Sequence, residues 1–412
     1  MYKKKLTTAR LATGKSSLLM ITLLVLSFGC RKSNVNDRDL RDFNVVNLVA
    51  NTVEYHPKTW IDPTLINGFG IAWSGSANAI AWVNSVGGHV SELYNSEGML
   101  ARAPVNIPSP TDTIGGLPCG IVFSGGKGFT LSNGPAAFIF SGFDGVLSAW
   151  NPGLGNNAKR LNSVPNALTS YTGLAIGASG GHNYIYGANF GERKIDVWDT
   201  AFHPVAMSFK DPTLPSGYSP YNIQAVGDYL FVIYGELATS GPLKGHGIAG
   251  NGKGFVSVFS TDGIFVRRFA SRGSLNLPWG VTLAPGSFLE DQDLEGGEED
   301  GHGGYEERTP GSYGGNSGSG NSGSGKSGNG HHDPKDPVIL VGNFGDGRIN
   351  VYTQDGKYIG QLQSHKHTIV IEGLWALSFP PSTATSIDPA RLYFSAGPDS
   401  EADGVFGYII KQ

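Results

Sequence analysis

Asn343-Phe344-Gly345-Asp346-Gly347-Arg348-Ile349-Asn350-Val351 decides how this chain is read. The apolar run Val338 to Val341 leads into it, and the alternating run Ile349 to Tyr352 leads out. That pattern predicts a β-hairpin: a buried strand, a turn on Asp-Gly, then a strand with one face to the core. The phrase returns as Asn189-Phe190-Gly191-Glu192-Arg193-Lys194-Ile195-Asp196-Val197, and more loosely as Phe143-Asp144-Gly145-Val146-Leu147-Ser148-Ala149-Trp150. One hairpin says little. The same hairpin recurring marks a repeat protein.

Working outward, a second recurring phrase precedes each hairpin, an apolar run that usually opens on glycine. Its copies centre on Gly70, Gly120, Gly173, Asn222, Gly280 and Gly373, spaced by 50, 53, 49, 58 and 93 residues. The first four spacings suit a four-stranded propeller blade of roughly 40–50 residues, and the fifth contains an insertion. Glycine suits an innermost strand, where backbones converge on a narrow channel. Three more strands follow in each repeat: in the third, 184–189, 194–198 and 204–209; in the fourth, 229–234, 254–259 and 264–269; in the fifth, 338–343, 348–352 and 358–362. The sixth has only 392–395 and 405–409 after its opening, one strand short. The lone strand Phe43 to Val49 would complete it. The expectation is an all-β, six-bladed β-propeller closed by an N-terminal strand in its last blade.

Sixty-one glycines and 23 prolines among 412 residues fit many short strands and turns. Lys3, Lys4, Lys5, Arg10 and Lys15 precede the apolar run Leu18 to Phe28, which ends in Gly29-Cys30. Residues 1–29 therefore read as a secretory signal, too short to span a bilayer. Leu26-Ser27-Phe28-Gly29-Cys30 resembles a lipobox of the loose form of Bacteroidetes-type bacteria, with Cys30 the lipidated residue; the alternative is an ordinary signal with a chance cysteine. Residues 30–42 read as a tether and 43–412 as the propeller. Without residues 1–29 the chain keeps 25 basic side chains against 34 acidic ones and no basic block, so nucleic acid is not an expected partner. Cys119 is then the one other thiol, read as a buried hydrophobe. Residues 287–337 differ in material: nine acids from Glu290 to Glu307, then a Gly/Ser/Asn tract from Gly311 to Gly330. That composition predicts a disordered loop. Gly320 to Ser327 matches the phosphate-loop pattern by letter, but has neither strand before nor helix after it, so the match is chance.

No nucleophile elbow, zinc helix or Cys-x-x-Cys pair occurs. What remains is the channel mouth, where loops into the innermost strands meet the hairpins between second and third strands. Glu372, Asn67 and Asn222 are the candidate ligands for Ca²⁺, which prefers hard oxygens. Asn84, Asn189, Trp279, Asn343 and Asp346 are expected on the rim. Turn chemistry alone accounts for most of these Asn and Asp residues. His365 and His367 read as a solvated loop, and the aromatics Phe69, Tyr171, Tyr221 and Trp279 as packing between blades.

Leu277-Pro278-Trp279-Gly280, Gly342 to Asn350, Glu372-Gly373-Leu374-Trp375, Ala188-Asn189-Phe190 and Leu214 to Gln224 together resemble an uncharacterised family of exported bacterial propellers. The resemblance covers residues 43 to 410 apart from the insertion and implies export but no reaction. More loosely, the repeats resemble NHL-type propellers and gluconolactonase-like propellers, which hold Ca²⁺ at the channel mouth. The leading expectation is a lipid-anchored, extracytoplasmic binding or scaffolding module in the bacterial cell envelope, taking a glycan or another envelope protein. The alternative is a Ca²⁺-dependent, lactonase-like hydrolase in which Glu372 binds metal or moves protons.

Overall fold

Each residue of the repeated Asn-Phe-Gly phrase meets a distinct constraint. Asn343 ends its strand and turns its amide onto the segment leading into the blade: Oδ1 accepts the Asn276 N–H at 3.1 Å, and Nδ2 donates to the Ser274 carbonyl at 2.8 Å. Asn189 Oδ1 likewise accepts the N–H groups of Ser170 (3.3 Å) and Glu192 (3.1 Å). The Phe190 and Phe344 N–H groups donate to the Ser170 and Leu277 carbonyls, and both rings join a cluster at the channel mouth. Glycine follows because the loop presses against it. A Cβ on Gly191 would stand 1.9 Å from the Leu168 carbonyl oxygen, and one on Gly345 2.1 Å from Asn276 Oδ1.

The computed structural model describes residues 38–162, 165–290 and 336–412. Within them the protein is all-β, with six antiparallel blades and no α-helix. The innermost strands are Gly68–Trp73, Pro118–Phe123, Tyr171–Ser179, Tyr218–Val226, Pro278–Ala284 and Leu374–Ser378. Neighbours pack side by side in a closed ring, sixth against first. The core lies between blades. Val226, Phe231 and Ile233 of the fourth bury against Val281, Ile339 and Val341 of the fifth, for example. The ring closes as expected: Phe43–Ala50 pairs antiparallel with Val405–Lys411, from Phe43 opposite Lys411 to Ala50 opposite Val405. The short strand Trp60–Ile61 adds a parallel fifth member outside it.

Backbone convergence explains the ring glycines. A Cβ on Gly70 would lie 2.3 Å from the Cys119 carbonyl oxygen, one on Gly120 2.6 Å from the Leu174 nitrogen, and one on Gly280 2.8 Å from the Trp375 carbonyl oxygen. The last distance corrects the sixth repeat. The residue facing Gly280 lies between Trp375 and Leu377, so Ala376 holds the ring position, while Gly373 sits in the preceding turn at φ +65°.

A second correction concerns the third blade, which has three strands: Tyr171–Ser179, His182–Asn189 and Lys194–Trp198. The expected outer strand over 204–209 makes only a bridge at Pro204. Its alternating Val205, Met207 and Phe209 pack across to the fourth blade instead, Phe209 lying 5.4 Å from Phe259. Alternation here serves inter-blade packing rather than a ladder.

Loops into the innermost strands and hairpins between second and third strands share one face, the mouth face. The opposite, rear face carries residues 38–42, the C-terminus and both ends of the fifth-blade insertion. There Lys411 Nζ donates to the Asp39 (3.2 Å) and Leu289 (2.9 Å) carbonyls. Gly286–Leu289 forms a 3-10 turn whose Phe288 is buried against Phe43 and Phe379, so the first residues of the expected 287–337 loop belong to the fold. The signal over 1–29, Cys30, and the segment with Gly320 to Ser327 lie outside the described residues. Among the described residues no helix is long and apolar enough to cross a membrane.

Candidate functional site

Two concentric sets of side chains fill the channel mouth. The residues just before the ring positions supply Phe69, Cys119, Tyr221, Trp279 and Trp375, all buried. The second-to-third-strand hairpins supply Val86, Phe143, Phe190, Leu237 and Phe344 above them. Trp375 is sandwiched between Phe69 and Phe344, each with ring centroids 3.9 Å away. Trp279 Nε1 donates to the Thr172 carbonyl at 2.8 Å, which satisfies its polar edge inside an apolar plug. A cavity of about 20 Å³ lies on the axis below, lined by Gly70, Gly120, Gly280 and Ala376. Leu237, from the long loop between Glu236 and Phe255, joins the plug. The mouth is sealed by hydrophobic packing. Of the four aromatics expected to pack between blades, Tyr171 packs against the second blade, whereas Phe69, Tyr221 and Trp279 pack together in the plug at the mouth, where several blades meet.

The expected metal ligands have other occupations. Asn67, at φ +52°, is 4% exposed; its Oδ1 accepts the Trp375 indole N–H at 2.8 Å and its Nδ2 donates to Glu401 Oε2 at 2.8 Å. Asn222, 1% exposed, replaces a ring glycine and reaches across to donate to the Trp279 carbonyl at 2.8 Å, while its Oδ1 accepts the Ile223 N–H. Glu372 is exposed, and its Oε1 accepts the Asp399 N–H at 3.2 Å. Ca²⁺ takes six to eight oxygens. Here the two amide oxygens are buried and already accept hydrogen bonds, Glu372 offers one open oxygen in solvent, and no group of three His, Cys, Asp or Glu converges among the described residues. This donor set does not fit a calcium ion.

The rim residues are mostly fasteners. Asn84, fully buried, donates to the Cys119 and Gly120 carbonyls and so clamps the first blade to the second. Asn189 and Asn343 hold their turns as described, and Asp346 Oδ1 accepts from Asn343 Nδ2 and the Arg348 N–H. Cys119 is fully buried, burial pushes its thiol well up, and it donates to the Leu117 carbonyl. It is no nucleophile.

A further carboxylate at the mouth is Glu401. Asp399, Ser400 and Glu401 are three successive non-glycine residues in the left-handed region, at φ +51°, +55° and +71°. Such backbone costs roughly 1–2 kcal/mol per residue and persists only where surroundings enforce it. They do: Glu372 caps the Asp399 N–H, the Asp403 carbonyl accepts the Asn67 N–H, and the Ala402 N–H closes on the Asp399 carbonyl. The turn delivers Glu401 half-buried beside the plug. Burial raises its carboxyl above the ordinary value, while the Asn67 amide and His246 favour its charged form. Its charge is felt by Cys119 and Tyr221 on the axis. Oε2 is fixed by Asn67; no described residue hydrogen-bonds Oε1. Sequence reasoning passed over Pro398-Asp399-Ser400-Glu401-Ala402-Asp403-Gly404 because it reads as any polar turn. Only a run of left-handed residues distinguishes it, and that run has no letter signature.

No protein-family model matches the chain. Two uncharacterised proteins of Acanthamoeba polyphaga mimivirus are similar: one is 29% identical over 363 residues, 85% of this chain and 81% of that protein. The other is 28% identical over 377 residues, 88% and 79% respectively. Among solved structures, virginiamycin B lyase from Staphylococcus aureus aligns over 90% of this chain and 99% of that chain at 12% identity, with a TM-score of 0.44. A gluconolactonase from Xanthomonas campestris aligns over 84% and 86% at 12% identity, with a TM-score of 0.42. These structures are too distant to inform this chain's chemistry.

Proposed function

We propose that this propeller is a lipid-anchored, extracytoplasmic binding module of the bacterial cell envelope, with its ligand at the channel mouth. One observation carries the site: Glu401 is set by a strained turn at the edge of an aromatic plug, one oxygen fixed by Asn67 and the other open. A carboxylate at the edge of a plug whose outer rings, Phe143 and Phe344, are half-buried suits a glycan, whose hydroxyls donate to the carboxylate while a sugar face lies on an aromatic ring. The anchor rests on the basic and apolar N-terminal run ending at Cys30. Residues 38–42, the described part of the expected tether, lie on the rear face. Because the donor set does not suit calcium, no hydrolytic step is assigned to a metal here.

The site is tested by exposing the immobilised chain 31–412 to soluble peptidoglycan fragments and surface polysaccharide. Saturable binding is expected, weakened about tenfold or more (about 1.4 kcal/mol) by Glu401→Gln at unchanged Tm. Equal binding by the variant would remove the mouth from the proposal. Cys30→Ser is expected to move the protein from the membrane to the soluble fraction, and membrane retention would contradict the anchor.

A further inference from the structure

The third blade stops one strand before the others. Lys194–Trp198 is third from the axis, yet no fourth strand runs along it. The following segment meets it at the rear end alone, where the Val205 N–H donates to the Val197 carbonyl at 2.8 Å. Other blades show what belongs at this edge. In the second, the Leu147 carbonyl accepts the Leu161 N–H at 2.8 Å, and the Leu147 N–H donates to Asn162 Oδ1 at 3.0 Å. In the fifth, the Ile349 carbonyl accepts the Leu362 N–H at 3.1 Å. Ile195 occupies the same place: it pairs with Ala188 as Leu147 pairs with Ser141 and Ile349 with Gly342. Its outward N–H and C=O meet no partner among the described residues.

A groove of about 510 Å³ opens along this edge, with Tyr171, Trp198 and Met207 in its lining. Its charges are unevenly matched. Lys194 Nζ stands 2.7 Å from Glu192 Oε2 and 3.1 Å from Asp196 Oδ1, one cation between two carboxylates. Hydrogen bonds from Lys194, Thr169 and Asn166 hold the Glu192 carboxyl down at about 2, so it carries its charge throughout the physiological range.

We propose that this edge binds an extended segment of a partner polypeptide, antiparallel as the fourth strand, with a lysine or arginine beside Glu192 and Asp196. An unpaired strand edge selects an extended chain by its backbone, and alternate side chains supply preference. The excess carboxylate selects a basic residue. The protein supplies its own example in Lys159–Arg160, the outer strand that completes the second blade.

The test uses the chain 31–412 and a capped synthetic peptide copying residues 156–162. Titration calorimetry should show saturable binding, and hydrogen exchange should show the Ile195 amide slowed by the peptide. Two altered peptides leave the protein's folding untouched. N-methylation at the position of Leu161 removes the N–H meant for the Ile195 carbonyl; replacing both basic residues with glutamate reverses the charge. Each should weaken binding at least tenfold. Undiminished binding of the N-methyl peptide, no binding at millimolar peptide, or a dimer in solution that protects the Ile195 amide without peptide would each overturn the proposal, the last in favour of self-association.

Discussion

Glu92 is fully buried in the first blade, and no arginine or lysine among the described residues compensates it. Thr64 Oγ1 lies 2.6 Å from both Asp62 Oδ1 and Glu92 Oε1, so a single hydroxyl proton faces two carboxyls. Tyr94 OH already serves Asp62 Oδ2 at 2.8 Å, and Glu92 Oε2 has no partner among the described residues. The surplus acceptor is best relieved by a proton on Glu92, and burial, with the nearby Asp62 charge adding, pushes that carboxyl up to about 7. A carboxyl raised in the folded state binds its proton more tightly there than in the unfolded chain. Stability should therefore fall as pH rises from the unfolded value near 4.3 toward 7, by about 4 kcal/mol, and level off above. Glu92→Gln is expected to remove that slope and to be more stable than the native chain at pH 8. Urea midpoints of both proteins at pH 5 and pH 8 measure it, and parallel pH dependences would show that Glu92 ionises normally.

Hairpins are the elements that repeat, and their residues were legible because each letter answers a local steric or hydrogen-bonding need. Asn343 illustrates the difference between a turn residue and a fastener. Replacing it with alanine leaves the buried Asn276 N–H without a partner and the Ser274 carbonyl with only its longer bond from Asn350 Nδ2 (3.3 Å), an expected loss of about 2 kcal/mol in denaturant unfolding. Asp346→Ala, on the half-buried tip of the same hairpin, should cost under about 1 kcal/mol. Equal losses would mean that the turn, not the link to the segment before the blade, sets the energy. The misreadings came where one pattern serves two purposes. Val205, Met207 and Phe209 alternate as a strand would, yet that alternation faces another blade. Gly373 resembled a ring glycine, but its φ of +65° shows a turn requirement, and Ala376 fits the ring because only a methyl must be accommodated there. At the mouth, Asn67 and Glu372 were sensibly chosen by type. The role of Asn67 depends on Glu401 and Trp375, more than 300 positions away, and that of Glu372 on the Asp399 N–H in the left-handed turn; no local pattern encodes such contacts.

At the scale of the whole molecule, the plug and the closure decide what the propeller can be. An axis packed with Phe69, Trp279, Trp375 and Phe344 offers a ligand a surface rather than a pore. Since the Asn67 and Asn222 amide oxygens are buried and already accept hydrogen bonds, and no second carboxylate joins Glu372 in a metal-sized cluster among the described residues, millimolar Ca²⁺ is expected to leave Tm unmoved; a rise abolished by Glu372→Gln would restore the metal reading. Closure depends on the first described strand, because Val405–Lys411 has no other outer neighbour in the sixth blade among the described residues. Phe43, fully buried, meets Phe288 at 5.1 Å, and Asn51 and Tyr55 bind Asp403 beyond the strand's end. Phe43→Ala should thus lose about 3–5 kcal/mol. Starting the chain at residue 51 should do more than subtract a strand: it opens the ring between the sixth and first blades and bares a long ladder edge. Such a chain is expected to lose its single sharp calorimetric transition and to aggregate at micromolar concentration. If it instead melts cooperatively at the native temperature, the ring is held by packing between blades alone, and the N-terminal strand is a cover rather than a clasp.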